Sequence, residues 1–367
     1  MTATRVTSAA VTTGRRRIEL RELPVPPLAA GEGLLAVEAV GVCGSDVVSF
    51  DQEGLPERVM GHETVGVIAD VTPVAADRWG VSEGDRVLLE EYLPCGYCRF
   101  CRSSEFRFCL ESDHEVKPAA LRYGTTGLDV EPGLWGGFSE VQYLHPRTVV
   151  HHIPAALPAE VATMALPVAN GYEWAHQIGR VGPGASVVVV GPGQQGLGSV
   201  LASRLAGASV IVAVGLERDA ARLAAAKRLG ATDLLVSGPS LVEQVLAATG
   251  GEGADVVINT AAGTSAVFND CAAMARKGGR VVLPVRDRRP QDGIDLGALS
   301  RKCLTVAGVR GHSFDAVEKA IDIMSDQLEL LRSLSSLTVP LEQVADAILS
   351  TGGSGSVPDV IHATVTV

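Results

Sequence analysis

The sequence predicts an α/β fold in which a doubly wound parallel sheet is set into a mainly β domain, and three observations carry that prediction. From about residue 185, apolar strands alternate with helical stretches rich in Ala, Leu, Lys and Arg. That alternation argues for a parallel sheet covered on both faces. The run Gly191-Pro192-Gly193-Gln194-Gln195-Gly196 falls between the first of these strands and the first helix. Up to about residue 160, by contrast, short Val, Ile and Leu runs are punctuated by Gly and Pro, the texture of an antiparallel or barrel-like domain.

Within the first part, residues 34–42, 64–71 and 85–89 read as strands, and Arg15-Arg16-Arg17 before Ile18 reads as a solvated hairpin tip. In the second part, strands are expected at 186–190, 210–214, 233–236, 255–259 and 280–285. Helices are expected between them at 194–206, 219–229, 240–248 and 265–275. A further strand at 304–307, a helix at 314–328 and a strand-like tail at 359–367 follow. The expected division is 1–165 for the β domain, 166–305 for the parallel-sheet domain, and 306–367 for a return to the first.

The chain has 367 residues, 46% hydrophobic and 20% charged, enough for two ordinary cores. Its formal net charge of −11 disfavours nucleic acid or anionic membrane as a partner, since both demand a positive field. No apolar run approaches the roughly 18 residues of a membrane span. Met1 to Leu20 lacks an apolar signal core, so a cytoplasmic protein is expected.

Four of the seven cysteines crowd into one short stretch: Cys95, Cys98, Cys101 and Cys109, spaced C-x2-C-x2-C-x7-C. Tight C-x2-C turns bring thiolates together, and a longer excursion returns the fourth to close a tetrahedron. Arg99, Arg102 and Arg107 stand nearby to offset the thiolate charge. The alternatives are an iron–sulfur cluster or four free thiols, and the spacing favours zinc. Four thiolates leave no position for water, so the site is read as structural, with the lobe 95–109 depending on it. Cys271 and Cys303 are read as inert core thiols.

The Gly191 loop follows four consecutive valines and opens a helix. In that context G-x-G-x-x-G signals a dinucleotide whose pyrophosphate sits at the helix N-terminus, with Gly191, Gly193, Gln194, Gln195 and Gly196 around it. At the end of the next strand an acid would hold a free ribose 2′-hydroxyl. Here Gly215 stands in that place, followed by Leu216, Glu217 and Arg218. Arg218 suits a 2′-phosphate and Glu217 a hydroxyl, so NADP is favoured and NAD stays open.

Cys43-Gly44-Ser45-Asp46, Gly61-His62-Glu63-Thr64-Val65-Gly66 and Gly84-Asp85-Arg86-Val87 complete a pattern with the cysteine lobe and the Gly191 loop. Together, in this order from about residue 20 onward, they resemble the zinc-dependent medium-chain alcohol dehydrogenases of the polyol, threonine and butanediol branch. The resemblance implies a GroES-like catalytic domain, an inserted Rossmann domain and a homodimer or homotetramer. It also implies zinc-assisted hydride exchange between a nicotinamide and an alcohol or ketone. By the same resemblance Cys43, His62 and Glu63 are ligands of a catalytic zinc. Ser45 is the hydroxyl that relays the proton, and Asp46 supports the site from behind, holding the ligand histidine.

Several positions depart from that pattern. Leu166 stands where a further Cys, Asp or Glu ligand is usual, so zinc is expected on Cys43, His62, Glu63 and water. Val48 replaces a histidine that passes the proton to solvent, and Gln195 and Asn170 replace an aliphatic residue and a threonine beside the nicotinamide. The run Gly133 to Phe138, with Phe50 and Asp51, lines the substrate cleft or else packs in the core. His151-His152 is given no role. Two other readings compete: a zinc-independent reductase of activated C=C bonds on the same scaffold, and a catalytically silent cofactor-binding protein.

Overall fold

In the computed structural model, which describes residues 5–261, 263–284 and 290–367, eight strands lie before residue 160 among the described residues. They are β1 (Val6–Gly14), β2 (Arg17–Pro24), β3 (Gly33–Gly41), β4 (Arg58–Val59), β5 (Glu63–Val71), β6 (Arg86–Leu89), β7 (Val141–Leu144) and β8 (Val150–His152). The Arg15–Arg16 turn joins β1 and β2 as an antiparallel hairpin. Both arginines donate through Nε to Asp51 Oδ1, at 3.0 and 2.7 Å, so the basic tip is tied to the residue after helix α1 (Gly44–Phe50).

Among the described residues six further strands build the second unit: β9 (Ser186–Val190), β10 (Val210–Gly215), β11 (Asp233–Val236), β12 (Ala254–Asn259), β13 (Ala275–Leu283) and β14 (Thr305–Gly308). They form one sheet, ordered β11-β10-β9-β12-β13-β14, and every pairing in it is parallel. The central β9 carries four valines, all buried. A strand covered on both faces keeps such a continuous β-branched run instead of alternating it with polar residues. Val285, the expected end of one strand, lies outside the described residues.

The last strands, β15 (Ser335–Pro340) and β16 (His362–Thr366), rejoin the first unit. There the order is β15-β16-β3-β5-β6-β8, with β7 also paired to β3. The two compact units are Met1–Ala165 with Ile321–Val367, and Leu166–Ala320. The second division therefore falls after residue 320 and not after 305. Thr305–Gly308 pairs with Arg280–Leu283 as an edge strand of the parallel sheet, so the chain is still inside that unit.

Antiparallel pairing of β3 with β5 sets Gly41 opposite Glu63, and β16 places Thr364 on the other side of Gly41. Cys43, just past the end of β3, and His62, just before β5, thus leave the same end of the sheet. Gly41 is required there. A Cβ at that position would lie 2.5 Å from Glu63 Oε2 and 3.0 Å from the Thr163 carbonyl.

Phe50, Trp135 and Phe138 lie within the apolar core of this unit, each at most 1% exposed. Trp135 satisfies its indole N–H on the Val130 carbonyl at 2.8 Å. Of the two alternatives for these aromatics, core packing is what the fold uses.

Candidate metal centres and cofactor loop

Cys43 is the N-cap of α1, and Asp46 at the third helical position accepts the Cys43 backbone N–H through Oδ2 at 2.9 Å. This reciprocal cap fixes the helix start and turns the Asp46 carboxylate back over the cysteine. The other carboxylate oxygen, Oδ1, lies 3.4 Å from His62 Nδ1. With Nδ1 directed at Asp46, Nε2 is the nitrogen left to face the site, 3.3 Å from Ser45 Oγ.

The donor atoms of Cys43, His62 and Glu63 lie within 4.8 Å of one another, and all three residues are buried. Glu63 Oε2 has no hydrogen-bond partner among the described residues, an expensive state for a buried carboxylate unless a cation meets it. The electrostatics agree. Burial, and then the charge at Cys43, push the Glu63 carboxyl well above its usual range. At His62 burial opposes the charged ring, but Asp46 and Cys43 outweigh it and hold the pKa well above the ordinary value. Both shifts describe a pocket that lacks positive charge, and the donor set of thiolate, imidazole and carboxylate suits zinc. Leu166 is buried and offers no donor.

Cys95, Cys98, Cys101 and Cys109 also converge, with every sulfur within 4.8 Å of the others. The Cys98–Cys101 sulfurs are 3.4 Å apart and the Cys95–Cys101 sulfurs 3.9 Å. A tetrahedron of Zn–S bonds of ~2.3 Å has edges of about 3.8 Å, so the cluster has the dimensions of the ion. The Cys101 backbone N–H pulls Cys98 down to about 7, while burial pushes Cys101 up. Arg99 and Arg102 are exposed beside the cluster. Arg107 is buried, paired with Glu105 at 2.8 Å and set over the Phe108 ring, so part of its charge is already answered. Cys271 is buried, as expected of a core thiol. Cys303 is exposed, against the expectation of a core thiol, and stands at the C-cap of the helix Leu296–Lys302 in a left-handed conformation (φ 52°).

In the second unit, Gly193 caps the twelve-residue helix Gln194–Leu205, and a Cβ added to it would meet nothing within 4 Å. That open cradle at a helix N-terminus is what a pyrophosphate needs. Gly196 serves the opposite purpose. A Cβ there would sit 1.9 Å from the Gly191 carbonyl oxygen, so only glycine lets the helix close on the turn. Gln194 and Gln195 occupy the first helical turn.

Gly215 ends β10 packed against Pro192, Asp219 and Leu223. Asp219 is engaged locally, accepting the Leu216 N–H at 2.9 Å and lying 3.6 Å from Arg222. Glu217 and Arg218 are exposed beside them.

Two residues with a bearing on these sites escape sequence reasoning. His312 Nδ1 lies 3.1 Å from Asn170 Oδ1, both buried, so the polar residue at 170 has a matched partner. Arg58 is buried beside α1, where its Nη2 donates to Ser49 Oγ at 2.6 Å. A pairing across 142 positions leaves no local pattern, and a lone arginine in a strand reads as solvent-facing.

Comparison with known proteins gives a consistent picture. An alcohol dehydrogenase GroES-like domain matches residues 29–155, and a zinc-binding dehydrogenase domain matches residues 196–326. A probable alcohol dehydrogenase of Mycobacterium tuberculosis is 37% identical over 98% of both chains. Sorbitol dehydrogenase of Bacillus subtilis is 29% identical over 93% of this chain and 92% of its own. Among solved structures, an alcohol dehydrogenase of Thermotoga maritima superposes with a TM-score of 0.84 at 24% identity, covering 99% of each chain.

Proposed function

The chain belongs to the zinc-dependent medium-chain alcohol dehydrogenase family, and from that premise we propose that Cys43, His62 and Glu63 hold its catalytic zinc. It is an NAD(P)-dependent oxidoreductase of alcohols and polyols. The substrate range we assign is a secondary alcohol, diol or polyol and the matching ketone; the likeness to a sorbitol dehydrogenase supports the polyol side. The observation that carries the reading is the convergence of three buried donors, one of them a Glu63 oxygen with no hydrogen-bond partner among the described residues. That convergence, with four thiolates at the second site, disfavours the zinc-independent C=C reductase. It also disfavours a silent binding protein.

Bound zinc would lower the pKa of the substrate hydroxyl, and bound nicotinamide would exchange hydride with the carbinol carbon. The protein's own part is positioning and proton handling. Ser45 Oγ, 3.3 Å from His62 Nε2, is the atom that takes the substrate's hydroxyl proton. Asp46 fixes the ring through Nδ1 and so keeps Nε2 turned toward the site. Val48 is 62% exposed and carries no proton, so the relay beyond Ser45 runs through cofactor ribose or water.

We assign a second, structural zinc to Cys95, Cys98, Cys101 and Cys109, giving two per chain. Gly191, Gly193, Gln194, Gln195 and Gly196 would cradle the pyrophosphate, and Gly215 with Arg218 favours NADP over NAD. A homodimer or homotetramer in the cytoplasm is the state this family membership supports.

Metal analysis, combined with a panel of alcohols, polyols and ketones read by cofactor absorbance, tests the reading. Two zinc ions per chain and turnover on secondary alcohols are expected. A single equivalent, or silence across the panel with both zincs and cofactor bound, would overturn it.

A further inference from the structure

Asp46 is 2% exposed, and its contacts on the site side are the Cys43 N–H and the His62 ring. The metal centre does not balance its charge. Thiolate at Cys43 and carboxylate at Glu63 already neutralise a divalent ion, which leaves Asp46 over. A buried charge without an opposite is costly, so the fold must supply one.

Arg58 is placed to do so. It is 4% exposed, and its Nη2 donates to Ser49 Oγ at 2.6 Å. Ser49 lies three residues beyond Asp46 on α1, so the two share a helix face. The Asp46 carboxylate supports the guanidinium charge, although burial prevails and lowers the Arg58 pKa. Arg58 Nε has no hydrogen-bond partner among the described residues, so the guanidinium is not kept here for a full set of bonds.

Its place in the chain matters as much as its charge. Arg58 lies in β4, opposite Thr12 of β1, four residues before His62. The bond to Ser49 therefore ties the segment carrying His62 and Glu63 to the helix capped by Cys43. A centre with three protein donors on only two segments depends on the distance between them.

We propose that Arg58 is a positioning residue for the Cys43–His62–Glu63 centre: anchored on Ser49, it fixes α1 against the His62 segment and balances the charge of Asp46. The proposal rests on reading those three residues as a metal site. It implies that Arg58 governs how tightly metal is held, without touching metal or substrate.

The test uses the full-length, metal-loaded protein and its R58M, R58K, S49A, D46N and D46N/R58M variants. Each is titrated with a chromophoric zinc chelator, and cobalt spectra follow the Cys43 site. R58M should keep the four-cysteine equivalent and bind the other about 10-fold more weakly, the low end of the loss when a ligand's direct outer partner is removed, since Arg58 acts one step further out through Ser49 and Asp46. R58K should recover most of that affinity. In the D46N background R58M should cost clearly less than in the wild type, because the charge it balanced is gone and only the Ser49 anchor remains to be lost.

Wild-type affinity in folded R58M, or an undiminished penalty in the D46N background, would overturn the proposal. Should R58M fail to fold, S49A carries the test, with weakened retention expected and unchanged retention overturning it. A wild-type chain holding one equivalent would instead refute the underlying metal reading.

Discussion

The four-cysteine lobe takes its donors from a single loop of fifteen residues and leaves three of them partly exposed. Cys43, His62 and Glu63 span a longer interval, come from the ends of two paired strands, and are buried. The first site is closed by its own sequence: two C-x2-C turns and a return, four thiolates, no vacancy. The second comes together only once β3 and β5 have paired, and the centre we propose there has three protein donors among the described residues. A site that holds a lobe together can be local and complete. A site that must admit a substrate oxygen is assembled by the tertiary fold and left short of donors.

Removing a ligand from each site should separate the two most sharply. In C43A or H62A, alcohol oxidation should fall by roughly a thousandfold or more, since a Lewis acid supplies several kcal/mol of barrier lowering. The four-cysteine equivalent and the circular-dichroism spectrum should stay unchanged. Undiminished turnover in either variant would refute zinc-assisted catalysis. In C101S the pattern should invert. One metal equivalent is lost, the melting temperature falls, and limited proteolysis opens the segment around residues 95–121, because metal binding there is folding free energy. A C101S protein with wild-type melting and proteolysis would show that the lobe stands without its ion.

The same contrast explains what the sequence discloses. The cysteine lobe and the Gly191 loop are legible because each depends on short-range spacing: two-residue turns in one, and a close Gly196–Gly191 approach in the other. Strands such as Ser186–Val190 are legible because a doubly buried strand must be apolar throughout. Arg58 and His312 are not legible, since their meaning comes from Ser49 and Asn170, which the fold brings to them. Phe50 and Trp135 illustrate a choice that the sequence leaves open. Their positions, beside Asp51 and within a glycine-rich run, fit a cleft or the core equally, and both rings pack in the core, because a large ring is buried wherever the sheet offers apolar cover. The division after residue 320 was also hidden, as an edge strand like Thr305–Gly308 carries too little apolar periodicity to announce its sheet.

Ser45 offers a finer test, because it belongs to the open site but does not ligate. S45A should retain both metals and lower kcat about 100-fold, the lower range for losing a proton-transfer group. A drop in metal content in S45A would instead make the hydroxyl part of the support for His62 Nε2. In the other unit, G196A should abolish cofactor binding, measured by NADPH fluorescence, and leave both zinc equivalents in place. The added Cβ would collide with the Gly191 carbonyl oxygen at 1.9 Å, and both donor sets belong to the other unit.

The smallest effect is expected at Arg218, exposed three residues past Gly215, the end of β10, where no acid stands to hold a ribose hydroxyl. A charge-assisted bond to a 2′-phosphate contributes about 1.5 kcal/mol or more, so R218A should lower kcat/KM for NADPH about 10-fold and leave the NADH value nearly unchanged. Equal losses with both cofactors would assign Arg218 to the shared part of the nucleotide. A wild-type preference for NADH would place Glu217 on the ribose hydroxyl and end the NADP reading. Neither result would alter the metal sites, since cofactor choice is decided by the Rossmann unit while both donor sets belong to the other.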